Sequence, residues 1–140
     1  MPKYHFTVLL LLFIVSHQAM SDESAIPEEI QAYLDFATYG DGIITLEQLS
    51  EIGENVIFID SRSFEQFEQG HIPKAINIEW RETVNRVNEI AKDIPVVLYC
   101  NTGALSAKAQ FILRLAGYEN ALVLHGGYDA WNSAQEKTKE

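Results

Sequence analysis

The sequence predicts a three-layer α/β domain, a central and mostly parallel five-stranded sheet flanked by helices. Three observations predict it. Short apolar runs alternate with helical patterns along the whole chain after residue 26. The strongest of these runs are apolar on both faces, as strands buried in the middle of a parallel sheet must be. The chain has 140 residues, 47% hydrophobic and 11% aromatic, enough for one core and too few for two.

The elements follow in order. Ile26 to Gly40, "IPEEIQAYLDFATYG", opens with proline and two glutamates, carries apolar residues at Ile30, Tyr33, Leu34 and Ala37, and ends in glycine, the pattern of a short amphipathic helix. A brief strand "GIIT" and a helical "LEQLSEI" come next. "NVIFIDSR" holds a continuous β-branched and aromatic run from Val56 to Ile59, a buried strand. "SFEQFEQG" reads as a short helix closed by Gly70, and "KAINI" as a small strand. From Trp80 to Ala91 the apolar positions Trp80, Val84, Val87, Ile90 and Ala91 recur at helical spacing. Pro95 stands at the tolerated first position of the strand "PVVLYC". Leu105, Ala109, Ile112 and Ala116 stripe a helix that Gly117 ends. "NALVLHGG" is a further strand, and "YDAWNSAQEKTKE" a C-terminal helix.

The first residues differ in kind. Lys3 gives a positive start, Phe6 to Val15 is apolar apart from Thr7, and the small residues Ala19 and Ser21 follow. This is the pattern of a secretory signal peptide over residues 1–21, cut between Ser21 and Asp22. The apolar run of about ten residues is short against the roughly 20 that span a bilayer, so no stable membrane insertion is expected after cleavage. An exported, periplasmic protein is the reading, although such a leader suits eukaryotic secretion too. Residues 22–41 form an acidic helical extension, which docks a partner or, more simply, packs on the flank of the domain at 42–140.

Lys3 is the only Asp, Glu, Lys or Arg in the first 21 residues, so the remainder keeps 20 acidic and 9 basic residues, a net of −11. That surface repels nucleic acid and anionic lipid, which argues against both as partners. The single cysteine, Cys100, excludes an internal disulfide and leaves a thiol for chemistry, for an intermolecular bond or for nothing.

Ligands of open parallel sheets bind beyond the carboxyl ends of the strands. Cys100 would be the last residue of "PVVLYC", with "NTGA" leading into a helix that begins near Leu105. Backbone amides of the tight loop and the helix N-terminus both favour thiolate over thiol. The small Thr102, Gly103 and Ala104 let amides turn inward, and Gly103 can take a positive φ without strain. Strand-end cysteines that only pack are also common. The local argument leaves both readings open.

Three stretches bear on the choice: "IDSRSFEQFEQGHIPKAINI" from Ile59 to Ile78, "YCNTGALSAKA" from Tyr99 to Ala109, and "LHGGYDAW" from Leu124 to Trp131. In order and approximate spacing they resemble a single-domain rhodanese, and they frame nearly all of residues 42–131. The resemblance implies a sulfurtransferase. Cys100 would take a sulfane sulfur from a small donor such as thiosulfate, hold it as a persulfide and pass it to a thiol, a cyanide-like acceptor or an acceptor protein. The loop Cys100 to Leu105, with Asn101, Thr102, Gly103, Ala104 and Leu105, would cradle that sulfur, and neither cofactor nor metal is called for. Phosphatase or arsenate chemistry on the same fold needs an arginine closing a longer loop; here Ser106 stands six after the cysteine, and no arginine occurs between Cys100 and Arg114.

Many rhodanese loops carry arginine or lysine where this one has Asn101 and Leu105. Lys108 would replace some of that charge or lie on a solvated helix face. Arg62 would point over the loop or, the preferred reading, pair with an acidic neighbour. The resemblance gives Asp60 the task of organising backbone amides near the loop. His71 and His125 show no metal-ligand spacing with Cys100 and read as loop caps. Gly126 and Gly127 shape a turn beside the loop, while Tyr128 and Trp131 pack the last helix on the sheet. Two rival readings stand beside the enzyme: a polysulfide or persulfide carrier for a partner protein, and a non-enzymatic binding module.

Overall fold

The computed structural model describes residues 28–38, 40–53 and 55–138. The expected signal peptide lies outside the described residues, as do the first residues of the extension. The elements in chain order are α1 (Glu28–Phe36), β1 (Ile43–Ile44), α2 (Leu46–Glu51), β2 (Ile57–Asp60), α3 (Phe64–Gln69), β3 (Ile76–Asn77), α4 (Thr83–Arg86), β4 (Val96–Tyr99), α5 (Ala104–Leu115), β5 (Ala121–Leu124) and α6 (Gly127–Lys137). Among the described residues no helix is long and apolar enough to cross a membrane.

The five strands form one sheet in the order β1-β5-β4-β2-β3, and every pair in it is parallel. The central strand β4 is buried along its full length, as its doubly apolar sequence requires. Its side chains alternate between two cores. Val96 and Leu98 join Ile59, Ile78, Ala109, Leu113 and Tyr118 under α5. Val97 and Tyr99 join Ile44, Ile72 and Leu124, with Phe67, Tyr128 and Trp131 packed against them from α3 and α6.

Local chemistry fixes the short elements. Thr45 and Gln48 make a capping box at α2, and the Ser63 hydroxyl accepts from the Gln66 amide at α3. The extension helix α1 packs on α5, with the Tyr33 and Phe111 rings edge to face at 5.1 Å.

Two helices differ from the sequence prediction. Residues 80–91 do not make one helix: a 3₁₀ turn at Trp80–Glu82 leads into α4, and a second at Val87–Glu89 follows. Thr83, Val84, Asn85 and Asn88 are weak helix formers. The Tyr118 hydroxyl sits against the carbonyls of Val87 and Ile90, at 2.7 and 2.9 Å, and the Val87 carbonyl also accepts the 3₁₀ bond from the Ile90 amide at 3.2 Å. Within this segment Val84 faces solvent and Thr83 is buried. On α5 the buried face is Ser106, Ala109, Gln110 and Leu113, one position from the expected apolar stripe.

Candidate active site

Cys100 lies one residue beyond the end of β4, not on its last position, and is 3% exposed. Strand β4 ends there because the chain turns at Gly103, whose φ of +119° places it in the region glycine reaches without strain. Helix α5 starts at the next residue. The Gly103 amide donates to Sγ at 3.2 Å, and the Ser106 hydroxyl stands 3.7 Å from it. That hydroxyl also lies 3.0 Å from the Gly103 carbonyl, so its one proton is shared between two acceptors.

Burial pushes the thiol pKa up, but the amides of Ser106, Gly103 and Leu105 and the Ser106 hydroxyl together outweigh it. The net effect is a thiol more acidic than an ordinary cysteine, as expected at a helix N-terminus. The cradle therefore reaches Ser106, a residue the sequence reading used only to exclude arginine. A small hydroxylated residue six positions after the cysteine was the available signal. Thr102 and Ala104 are exposed, with Leu105 half-buried between the cradle and the surface.

The outer side of the loop is fastened from α6. The amide of Tyr128 donates to the Cys100 carbonyl at 2.8 Å and that of Asp129 to the Asn101 carbonyl at 3.1 Å. With these carbonyls held outward, the amides that follow are free to face the sulfur. Gly127 permits the approach: a Cβ there would collide with the carbonyl oxygens of Cys100 and Asn101.

Asp60 and Arg62 form a buried pair beside the loop. The Asp60 carboxylate accepts from the Arg62 amide at 3.0 Å, from Nε at 2.9 Å and from Nη2 at 2.6 Å. Arg62 is 4% exposed; burial works against its charge, but the hydrogen bonds and charge of Asp60 prevail and raise its pKa. Its Nη2 also donates to the Gly70 carbonyl at 2.7 Å, Nη1 reaches Asn101 Oδ1 at 3.4 Å, and the guanidinium lies 4.2 Å from the Tyr128 ring centroid. Asp60 thus acts on the loop through Arg62, and Arg62 is a strut whose donors are already committed. Asn77 completes this corner by donating to the carbonyls of Asp60 and Arg62 at 3.0 and 2.9 Å.

The other candidates lie further out. Lys108 is exposed, its ammonium 4.8 Å from the Trp80 ring centroid. His71 stacks on Phe67 with ring centroids 3.8 Å apart, and His125 is exposed at the rim of a cleft of about 390 Å³ that Thr102, Gly103, Phe111 and Tyr33 also line. Tyr128 and Trp131 pack on the α6 side of the sheet; Tyr128 additionally covers Arg62, a contact that the sequence reading did not anticipate.

A strand-end cysteine in a loop of inward amides, flanked by a buried Asp-x-Arg strut, is matched by a family model. Residues 45–134 fit the rhodanese-like domain. The chain belongs to the rhodanese-like domain family. A sulfurtransferase of Allochromatium vinosum is 40% identical over 78 residues, covering 56% of this chain and 73% of that one. A thiosulfate sulfurtransferase of Shewanella oneidensis is 29% identical over 93 residues, covering 65% of this chain and 92% of its own length. Among solved structures, a rhodanese-related protein from Thermoplasma volcanium superimposes with a TM-score of 0.61 at 25% identity, over 66% of this chain and 91% of that one. Family and relatives support sulfur transfer as the general chemistry of this rhodanese-like domain.

Proposed function

We propose that the protein is a sulfurtransferase in which Cys100 carries the sulfur as a persulfide between a sulfane donor and a thiophilic acceptor. The observation that supports this most is the convergence of the Gly103, Leu105 and Ser106 amides on a buried, acidified Sγ. With thiosulfate, the thiolate attacks the outer sulfur, a Cys100 Sγ–S bond forms, the donor's S–S bond breaks and sulfite leaves with the electron pair. Attack of cyanide on the outer sulfur then yields thiocyanate and returns the thiolate, a double displacement with one covalent intermediate.

A second reading, a polysulfide or protein-persulfide carrier, is favoured for a protein-borne persulfide donor by the charge around the loop, which holds no cation for a small dianion. Residues Asn101 to Leu105 are uncharged, Arg62 is tied to Asp60, and Lys108 rests on Trp80. The apolar leader from Phe6 to Val15 supports an exported, periplasmic setting for either reading.

Incubation with thiosulfate, and separately with polysulfide, followed by intact mass measurement tests the proposal. The expected result is an adduct of about 32 Da that cyanide removes and Cys100→Ser lacks. An adduct from polysulfide alone selects the carrier. Absence of any adduct overturns sulfur transfer at Cys100 and leaves the binding module.

A further inference from the structure

Ser61 is fully buried, and among the described residues its hydroxyl has no hydrogen-bond partner. A buried hydroxyl without a partner is destabilising, and such groups call for an explanation. The strand ladder places it. The Ile57 amide donates to the Pro95 carbonyl and the Ser61 amide to the Tyr99 carbonyl. Ile57 is in register with Val96, the residue after Pro95, so by the same step Ser61 stands opposite Cys100. Alternation along the strands gives the face. Ile59 and Leu98 are register partners in the core beneath α5. Two residues further, Ser61 and Cys100 point to that same side, where the buried Ser106 hydroxyl also meets Sγ.

We propose that Ser61 binds the transferred sulfur: its hydroxyl donates a hydrogen bond to the outer sulfur of the Cys100 persulfide. The inference rests on the sulfur-transfer reading above. In the resting protein the Ser61 hydroxyl makes no hydrogen bond to Sγ, whereas a second sulfur stands about 2 Å from Sγ and lengthens the reach of the acceptor. For a persulfide donor R–S–SH, the Cys100 thiolate attacks the outer sulfur, the Sγ–S bond forms, the donor's S–S bond breaks and R–S⁻ leaves with the electron pair. The new Cys100–S–SH releases its proton to solvent, and the outer sulfur then carries the negative charge. The loop amides are already aimed at Sγ. Ser61 supplies a donor for the atom beyond it, so a hydroxyl idle in the resting protein finds its partner in the intermediate.

The experiment uses the full chain, sodium polysulfide as the probe, and the variants Ser61→Ala, Ser61→Gly and Ser61→Thr beside the wild type. Intact mass first establishes loading. The pH dependence of alkylation is then followed separately on loaded and unloaded protein. In Ser61→Ala and Ser61→Gly the half-point of the loaded form is expected to rise by about one pH unit, roughly tenfold slower reaction on the acid side. Ser61→Thr, which keeps the hydroxyl, is expected to restore the wild-type curve. The unloaded Cys100 curve should be the same in all four proteins, and unloaded Ser61→Ala should melt no lower than the wild type. Loaded curves that coincide between wild type and Ser61→Ala overturn the inference while sulfur transfer stands. An equal shift of the unloaded thiol with a lowered melting temperature makes Ser61 a packing residue and also overturns it. A wild type that takes up no sulfur removes the sulfur-transfer reading and this inference together.

Discussion

Cys100 combines two opposing effects: burial disfavours the thiolate, and three amides, a hydroxyl and the α5 N-terminus favour it more. The acidified thiol should alkylate at lower pH in the folded protein than in the unfolded chain, where it takes the behaviour of a free thiol with a pKa near roughly 8.5. Ser106→Ala should move the folded half-point upward by less than about one pH unit, since its proton is shared with the Gly103 carbonyl. The same shift sets a sign for stability. A group whose pKa is lower in the folded state stabilises the fold above its unfolded pKa, and that contribution is lost as pH falls through the folded pKa. The melting temperature of the wild type relative to Cys100→Ser should therefore rise with pH up to about 8.5 and level off above it. A difference that is flat with pH, together with ordinary thiol alkylation, would show that the amides do not reach the sulfur in solution.

At the scale of elements, the site is a junction of β4, α5 and α6, and Gly127 is where the third meets the other two. Gly127→Ala places a Cβ against the carbonyls of Cys100 and Asn101 at a φ of +58°, so both the collision and the backbone resist it. The expected cost is roughly 2–4 kcal/mol, with sulfur uptake lost before the fold because the carbonyl clamp opens first. Thermal unfolding beside intact mass measurement separates the two, and a variant that keeps both stability and uptake refutes the clamp. The junction was partly legible in the sequence. Strands β2, β4 and β5 announced themselves because a strand buried on both faces has no polar alternation to confuse it with a surface element. The strand-to-helix position of Cys100 followed from that. The register of α5 did not, because Ser106 and Gln110 occupy its buried face, the first beneath the sulfur and the second donating to the Ala121 carbonyl at 3.1 Å. A polar residue buried for a specific partner erases the apolar stripe that would reveal it. The broken segment at 80–91 hid for a related reason: the carbonyls of Val87 and Ile90 at its end meet the Tyr118 hydroxyl, some thirty residues away in sequence. The tether from α6 to the loop is likewise made by amides, which no side-chain pattern records.

The molecule as a whole is acidic, with a formal net charge of −10, and its one nucleophile sits in a loop without charge. The nearest cations do not offset this. Arg62 is paired with Asp60 at 2.6 Å, and Lys108 lies out on the helix surface over Trp80. An anionic donor therefore approaches a repelling surface, and only short-range amide contacts reward it on arrival. Repulsion of this kind acts over distance and is screened by salt, with a Debye length falling from about 30 Å at about 0.01 M to about 8 Å at about 0.15 M. The rate of sulfur uptake from thiosulfate should rise several-fold across that range, while uptake from a small-molecule persulfide, a monoanion rather than a dianion, should rise less. Stopped-flow or quenched mass measurement of the Cys100 adduct at several salt concentrations reads both. The sign is what decides. A thiosulfate rate that falls with salt would mean an attracting cation acts at the mouth of the loop, with Lys108 the first to test by Lys108→Gln. A rate that rises, beside a faster and less salt-dependent persulfide, would assign the natural donor to small or protein-borne persulfides and make this rhodanese-like domain a carrier rather than a thiosulfate enzyme.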